Sequence, residues 1–167
     1  MKNQAVYLVQ RTGFRDRLSE FLVNSFKPLY LFMRKDKTPW KITMGTLAAM
    51  PAGTLGKDVA NFLQANGLSI MPRAELHDVY HVLFGYSTLM KDETCIQFVP
   101  LGNGRISAPY VASTLVAAVF YPEYWPDFYA AFRRGRAAAT FHNWDFEPLL
   151  QLPTEQVRRM IFDCAKY

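Results

Sequence analysis

A chain of 167 residues, half of them hydrophobic, has the length of one domain and can bury a full core without disulfide or metal staples. Its two cysteines, Cys95 and Cys164, are far apart in sequence, which excludes a zinc ribbon and a disulfide-dense secreted scaffold and reads as reduced thiols in a cytosolic compartment. The net charge of +5 suits an anionic partner, but the basic residues are dispersed and not interleaved with aromatics, so nucleic acid is not expected.

Two loose basic groups stand out: Arg34, Lys35, Lys37 and Lys41, then Arg133, Arg134 and Arg136. A solvated face is the plain reading of each. Attraction to anionic lipid, on the order of 1 kcal/mol per basic residue near the surface, is the functional alternative. The first twenty residues have no uninterrupted apolar run or small-residue cleavage site and include Asp16 and Glu20, so no targeting signal is expected. The longest nearly uncharged stretch, Ile106 to Tyr121, contains Pro109 and is shorter than the roughly 20 residues a spanning helix requires.

Apolar residues recur at helical spacing along the chain, without sustained two-residue alternation, which predicts an all-α fold of about seven or eight helices in a single domain over 1–167. Phe14, Leu18, Phe21 and Leu22 mark a first stripe. Thr38-Pro39 predicts a helix start and Met50-Pro51 its stop. Leu55, Val59, Phe62 and Leu63 mark the next helix, closed by Asn66-Gly67. A helix over Arg73 to Phe84 should end at Gly85, and another should run from Thr88 to about Val99, before a loop from Pro100 to Gly104. Pro109 opens an apolar helix to about Tyr121, and Pro122 begins one that carries the second basic group. Pro153-Thr154 caps a last helix whose apolar face is Val157, Met160, Ile161 and Cys164. Cys164 therefore reads as core, whereas Cys95, two residues past Glu93, is left open.

Two of the three histidines lie in one string, Glu75-Leu76-His77-Asp78-Val79-Tyr80-His81. At about 100° per helical residue, His77 and His81 differ by roughly 40° and one turn of rise, so both imidazoles share a face and can share an ion. Asp78 lies about 100° from His77 and about 60° from His81, at the margin, where it could ligate or orient a ligand. A further ligand must come from another element, and Glu93 is the leading candidate. A straight helix would hold it about 18 Å from His81, at roughly 1.5 Å per residue. The helix has to break, and Gly85 supplies the break, with Ser87 or Thr88 to cap an antiparallel return helix. Two neutral imidazoles with one or two carboxylates match zinc, with iron(II), manganese or magnesium as alternatives. A surface or hydrogen-bonded His-x-x-x-His pair is the competing reading, weakened by Asp78, Glu93 and the apolar neighbours Leu76, Val79, Leu83 and Phe84. His142 has no such company and is expected in a loop near Trp144.

These residues resemble the coenzyme Q (ubiquinone) biosynthesis protein four family, whose signature is His-Asp-x-x-His, eleven residues, then Glu. His77, Asp78 and His81 supply the first part, and Val82 through Asp92 the eleven-residue spacer before Glu93. Val82-Leu83-Phe84-Gly85-Tyr86-Ser87-Thr88 is similar to the family's continuation, and Met50-Pro51-Ala52-Gly53-Thr54-Leu55-Gly56 to its preceding Pro-x-x-Thr-x-Gly segment. Arg134-Gly135-Arg136, Trp144-Asp145, Pro153 and Arg158 match the family's C-terminal pattern.

The resemblance implies a peripheral protein of the cytoplasmic side of the inner membrane that binds a prenylated quinone precursor or related isoprenoid lipid and works beside other quinone-biosynthesis proteins, with a homodimer compatible. It implies a metal-dependent oxidative decarboxylase that replaces the carboxyl group of a prenylated hydroxybenzoate ring by hydroxyl. The metal ligands would be His77, Asp78, His81 and Glu93, with Asp78 or Glu93 also moving protons. Two alternatives stand beside it. One is a non-catalytic prenyl-lipid-binding scaffold with a structural metal. The other is a zincin-like hydrolase, from the two-histidine spacing, with aspartate where zincins carry glutamate.

Overall fold

The structure is a computed structural model that describes residues 38–106 and 108–163. Seven α-helices run through these residues: α1 (Met44–Ala48), α2 (Leu55–Ala65), α3 (Glu75–Phe84), α4 (Met90–Gly102), α5 (Ala108–Phe120), α6 (Trp125–Ala137) and α7 (Thr154–Phe162). Two 3₁₀ turns, Pro122–Tyr124 and Pro148–Gln151, precede α6 and α7. The described residues form no strand, and the expected all-α class holds. An isolated antiparallel bridge joins Thr54 to Pro153 and ties the start of α2 to the start of α7. The expected N-terminal stripe from Phe14 to Leu22, and Cys164, lie outside the described residues.

The helices follow from the apolar stripes. Leu55, Val59 and Leu63 of α2, Val79 and Leu83 of α3, Ile96 and Val99 of α4, Phe128 of α6, and Val157 and Ile161 of α7 meet in one buried cluster. Phe141 and Phe146, from the segment between α6 and α7, fill its middle. Removing one such side chain from water contributes about 1.5–3 kcal/mol, far more than intrinsic helix propensity.

Three of the boundaries that differ from the sequence expectation have a visible cause. The first helix begins at Met44 rather than at Thr38-Pro39, with Thr43 and Thr46 forming a reciprocal capping box. Upstream, the Trp40 amide donates to Glu75 Oε1 at 3.2 Å and the Lys41 amide to Glu147 Oε1 at 2.8 Å, which ties this segment to two carboxylates distant in sequence. Helix α4 starts at Met90, and Ser87 ties its entry from outside. The Ser87 amide and hydroxyl both donate to Asp92 Oδ2, while Ser87 Oγ accepts from the Leu89 amide.

The third difference is Pro100, expected to open a loop. It lies inside α4, which continues to Gly102. Its missing donor is tolerated because α4 makes the most extensive interhelical packing among the described residues, against α6, with Val99 and Pro100 buried. Two glycines allow that closeness. A Cβ on Gly135 would run into the Val99 carbonyl, and one on Gly102 into the Phe132 carbonyl. Asn103 then fastens the end of α4. Its Nδ2 donates to the carbonyls of Gly135 and Ala139, and its Oδ1 accepts from the amides of Phe141 and His142. His142 thus sits in a loop as expected, engaged in structure.

Candidate metal centre

Helix α3 carries both histidines of the Glu75-to-His81 string. It ends at Gly85, whose φ of 74° is a left-handed cap that costs glycine nothing, and whose amide bonds the His81 carbonyl. The chain turns there and enters α4, whose first turn contains Asp92 and Glu93, acidic residues favoured at a helix N-terminus. This turn provides the break required to bring Glu93 to the histidines.

Glu93 reaches both rings. His77 Nε2 lies 3.0 Å from Glu93 Oε2, His81 Nε2 lies 3.3 Å from Glu93 Oε1, and the two Nε2 atoms are 3.1 Å apart. The imidazole rings stand perpendicular, with centroids 4.8 Å apart. His81 is 3% exposed, while His77 and Glu93 are 36% and 29% exposed, so the cluster is closed behind His81 and open past the other two.

His81 is the best-fixed member. Its Nδ1 lies 3.1 Å from the Tyr86 carbonyl oxygen, which can only accept, so this nitrogen carries the proton and Nε2 of the neutral ring presents a lone pair to the cluster. Phe62 of α2 stacks on the same ring at 4.8 Å. Burial works against a charged His81, but hydrogen bonding to Glu93 and its charge, together with Tyr86 and Asp78, outweigh that and raise its pKa above the ordinary imidazole value. Burial likewise pushes the Glu93 carboxyl up, and hydrogen bonds from His77 and His81 overcome it, holding the group down at about 2. Glu93 is therefore a carboxylate throughout the neutral range.

The arrangement fits a divalent cation. Ligand atoms bound at about 2.0–2.1 Å around a tetrahedral ion stand roughly 3.3 Å from one another. The three separations here, 3.0, 3.1 and 3.3 Å, have that size. Two imidazole nitrogens facing each other beside a carboxylate need a positive centre between them, a proton or a metal ion. His77, His81 and Glu93 form a group able to hold a metal.

Asp78 stands beside this group rather than within it. Its carboxylate is bonded by the Met71 backbone, and its Oδ2 is buried without a hydrogen-bond partner among the described residues. Burial raises its pKa to about 6, opposed by the charges of His77 and His81. Cys95, left open by sequence, is buried, which pushes its thiol up to about 11 and makes it inert at neutral pH.

Sequence reasoning did not find the partners that position α3. Arg134 of α6 donates to the Phe84 carbonyl at 2.8 Å and lies over the Phe162 ring at 4.2 Å. Arg158 of α7 donates to the Val82 carbonyl at 2.6 Å and pairs with Glu155. Two cations thus occupy carbonyls of the last turn of α3, where the helix dipole is negative. Both arginines belong to the C-terminal resemblance, but their spacing carries no sign of this role.

The family model described as coenzyme Q (ubiquinone) biosynthesis protein Coq4 matches residues 70–162, more than half of the chain. The chain belongs to the Coq4 family. The match spans the whole metal cluster and both arginines, and begins after the Pro51-to-Gly56 segment that also resembles the family. A crystal structure of a Nostoc punctiforme protein, described in terms of ubiquinone biosynthesis, has the same fold. The TM-score is 0.61 at 19% identity, over 88% of this chain and 82% of that one. No curated protein matches the chain. Membership in the Coq4 family supports a role in coenzyme Q biosynthesis.

Proposed function

We propose that this Coq4-family protein holds one divalent cation between His77, His81 and Glu93 and uses the site to replace the ring carboxyl group of a prenylated hydroxybenzoate by hydroxyl. The observation that carries this reading is the convergence of two imidazole nitrogens and a carboxylate from two helices, at 3.0–3.3 Å, on a cluster with one open side. Imidazoles with a carboxylate favour zinc or iron(II), manganese less so, and magnesium least.

A cation bound there supplies a Lewis acid for a carboxylate or phenolate oxygen. The protein's own groups do the rest. His81, fixed by Tyr86 and Phe62, sets the position of the site. Glu93 balances charge and stays ionised. Asp78, whose buried carboxyl lies beside the ligands, is the group this reading assigns to proton transfer. In the net reaction the ring carbon loses its carboxyl group as CO2 and gains one oxygen atom from dioxygen. The second oxygen leaves as water, with two protons and two electrons from an external donor.

A prenyl tail confines such a substrate to a bilayer, so the reading places the protein at the cytoplasmic surface of the inner membrane, beside other quinone-biosynthesis proteins. Among the described residues no helix is long and apolar enough to cross a membrane.

The test is incubation of metal-loaded protein with a prenylated hydroxybenzoate, dioxygen and a two-electron donor, followed by mass spectrometry. The expected product lacks CO2 and carries one added oxygen, and His81→Ala, folded by circular dichroism, does not form it. Substrate that binds and emerges unchanged would remove the catalytic part of the reading. Unfolding of Glu93→Ala would point to a structural metal.

A further inference from the structure

The three arginines that sequence groups together divide on the helix. Arg134 turns inward to the end of α3. Arg133 and Arg136 are exposed, on the same side of α6 as Trp125 and Tyr129. At about 100° per residue these four positions fall within an arc of roughly 80°, away from the buried Phe128, Ala131 and Gly135.

This outer face continues onto α5. The Trp125 indole donates to the Ala118 carbonyl at 2.9 Å, which lays the ring against the last turns of that helix. There Leu115, Val116 and Val119 are exposed. Together with Trp125 and Tyr129 they are 46–73% exposed, on the two helices that the Trp125–Ala118 bond joins. At the far end, Tyr129, Phe132, Arg133, Arg136 and Ala137 line a shallow cavity of about 310 Å³.

The order along this strip is aliphatic, then Trp and Tyr, then arginine. That is the order of depth in one leaflet: acyl chains take aliphatics, the interface takes Trp and Tyr, and phosphates take arginine. We propose that the α5–α6 face is the membrane-docking surface, with Leu115, Val116 and Val119 entering the acyl region and Arg133 and Arg136 binding lipid phosphate. The assignment rests on the membrane-surface reading above and adds the face and the headgroup chemistry. Charge favours lipid over a second copy of the chain. Asp127, the acidic residue on α6, pairs with Lys91 instead of joining the strip, so a self-complementary contact would oppose arginine to arginine or to aliphatics.

The test is co-sedimentation of the full chain with phosphatidylcholine vesicles, with and without phosphatidylglycerol, alongside Val119→Glu and Arg133→Gln/Arg136→Gln. Circular dichroism checks folding, and size-exclusion chromatography reports oligomeric state. The expected result is wild-type binding that strengthens with phosphatidylglycerol, weakened by Val119→Glu on both vesicle types. The double arginine variant should lose about thirtyfold in affinity for the anionic vesicles only. Wild-type binding that both variants retain would overturn the face while leaving membrane association standing. Absence of wild-type binding would overturn both. A dimer that Val119→Glu converts to monomer, with vesicle binding unchanged, would assign the face to a second copy and also overturn the proposal.

Discussion

The Nδ1 atom of His81 and the carbonyl oxygen of Tyr86 lie 3.1 Å apart across the Gly85 turn, so the backbone that ends α3 also sets which ring nitrogen of His81 faces the cluster. Gly85 adopts φ of 74°, with open space where a Cβ would stand, so a substitution there meets strain rather than a clash. Gly85→Val should misplace the Tyr86 carbonyl and weaken metal binding by about tenfold or more, the usual cost of losing a hydrogen bond that orients a ligand. Gly85→Asn, which tolerates the left-handed region, should retain most of the affinity. Metal titration of both variants checks this, and equal affinities for Val and Asn would contradict it.

Arg134 holds the same helix end from outside, through the Phe84 carbonyl and the Phe162 ring. Arg134→Met keeps much of the apolar stem but removes the charged donor. It should cost about 1.5–3 kcal/mol in urea unfolding, with Arg134→Lys recovering part of the loss. A Met variant as stable as wild type would show that the carbonyl finds another donor.

The divided arginine group shows where sequence reading stopped. Helical rotation made the shared face of His77 and His81 legible, and Gly85 made the return of Glu93 legible, because both are local consequences of residue type. The Tyr86 carbonyl was not, since a backbone acceptor leaves no mark in the side chains. Nor was the stacking of Phe62, which sits in an ordinary apolar stripe of α2. Thr38-Pro39 has the chemistry of a helix start, but the Trp40 and Lys41 amides go to Glu75 and Glu147, side chains distant in sequence that the local pattern does not reveal. Pro100 has the chemistry of a stop, but packing of α4 on α6 overrides it.

That packing links the core to the site, because α4 also carries Glu93. Gly135→Ala would drive a Cβ into the Val99 backbone, which cannot rotate away as a side chain would. Overpacking of this kind costs about 1–3 kcal/mol. The melting temperature should fall, and metal affinity should fall with it as α4 shifts; unchanged melting would mean the crossing has slack.

The pH dependence should reverse sign with metal. Without the ion, His81 has a raised pKa, so its contribution to stability is complete below the unfolded imidazole value and disappears as pH rises through the folded one. Glu93, depressed to about 2, contributes above the ordinary carboxylate range and is lost only as pH falls toward about 2. Binding a cation requires His81 without a proton at Nε2, so affinity should drop about tenfold per pH unit below the His81 pKa, and stability with metal should rise with pH there. Thermal melts across the mildly acidic to neutral range, with metal and with chelator, read both slopes; parallel slopes would contradict the competition.

The most direct measurement is elemental analysis of the purified chain beside His81→Ala and Glu93→Gln, with circular dichroism to confirm folding. Convergence of α3 and α4 on one ion predicts about one equivalent of a divalent metal in the wild type and a large loss in each folded variant. Metal retained at the wild-type level in both variants would contradict it.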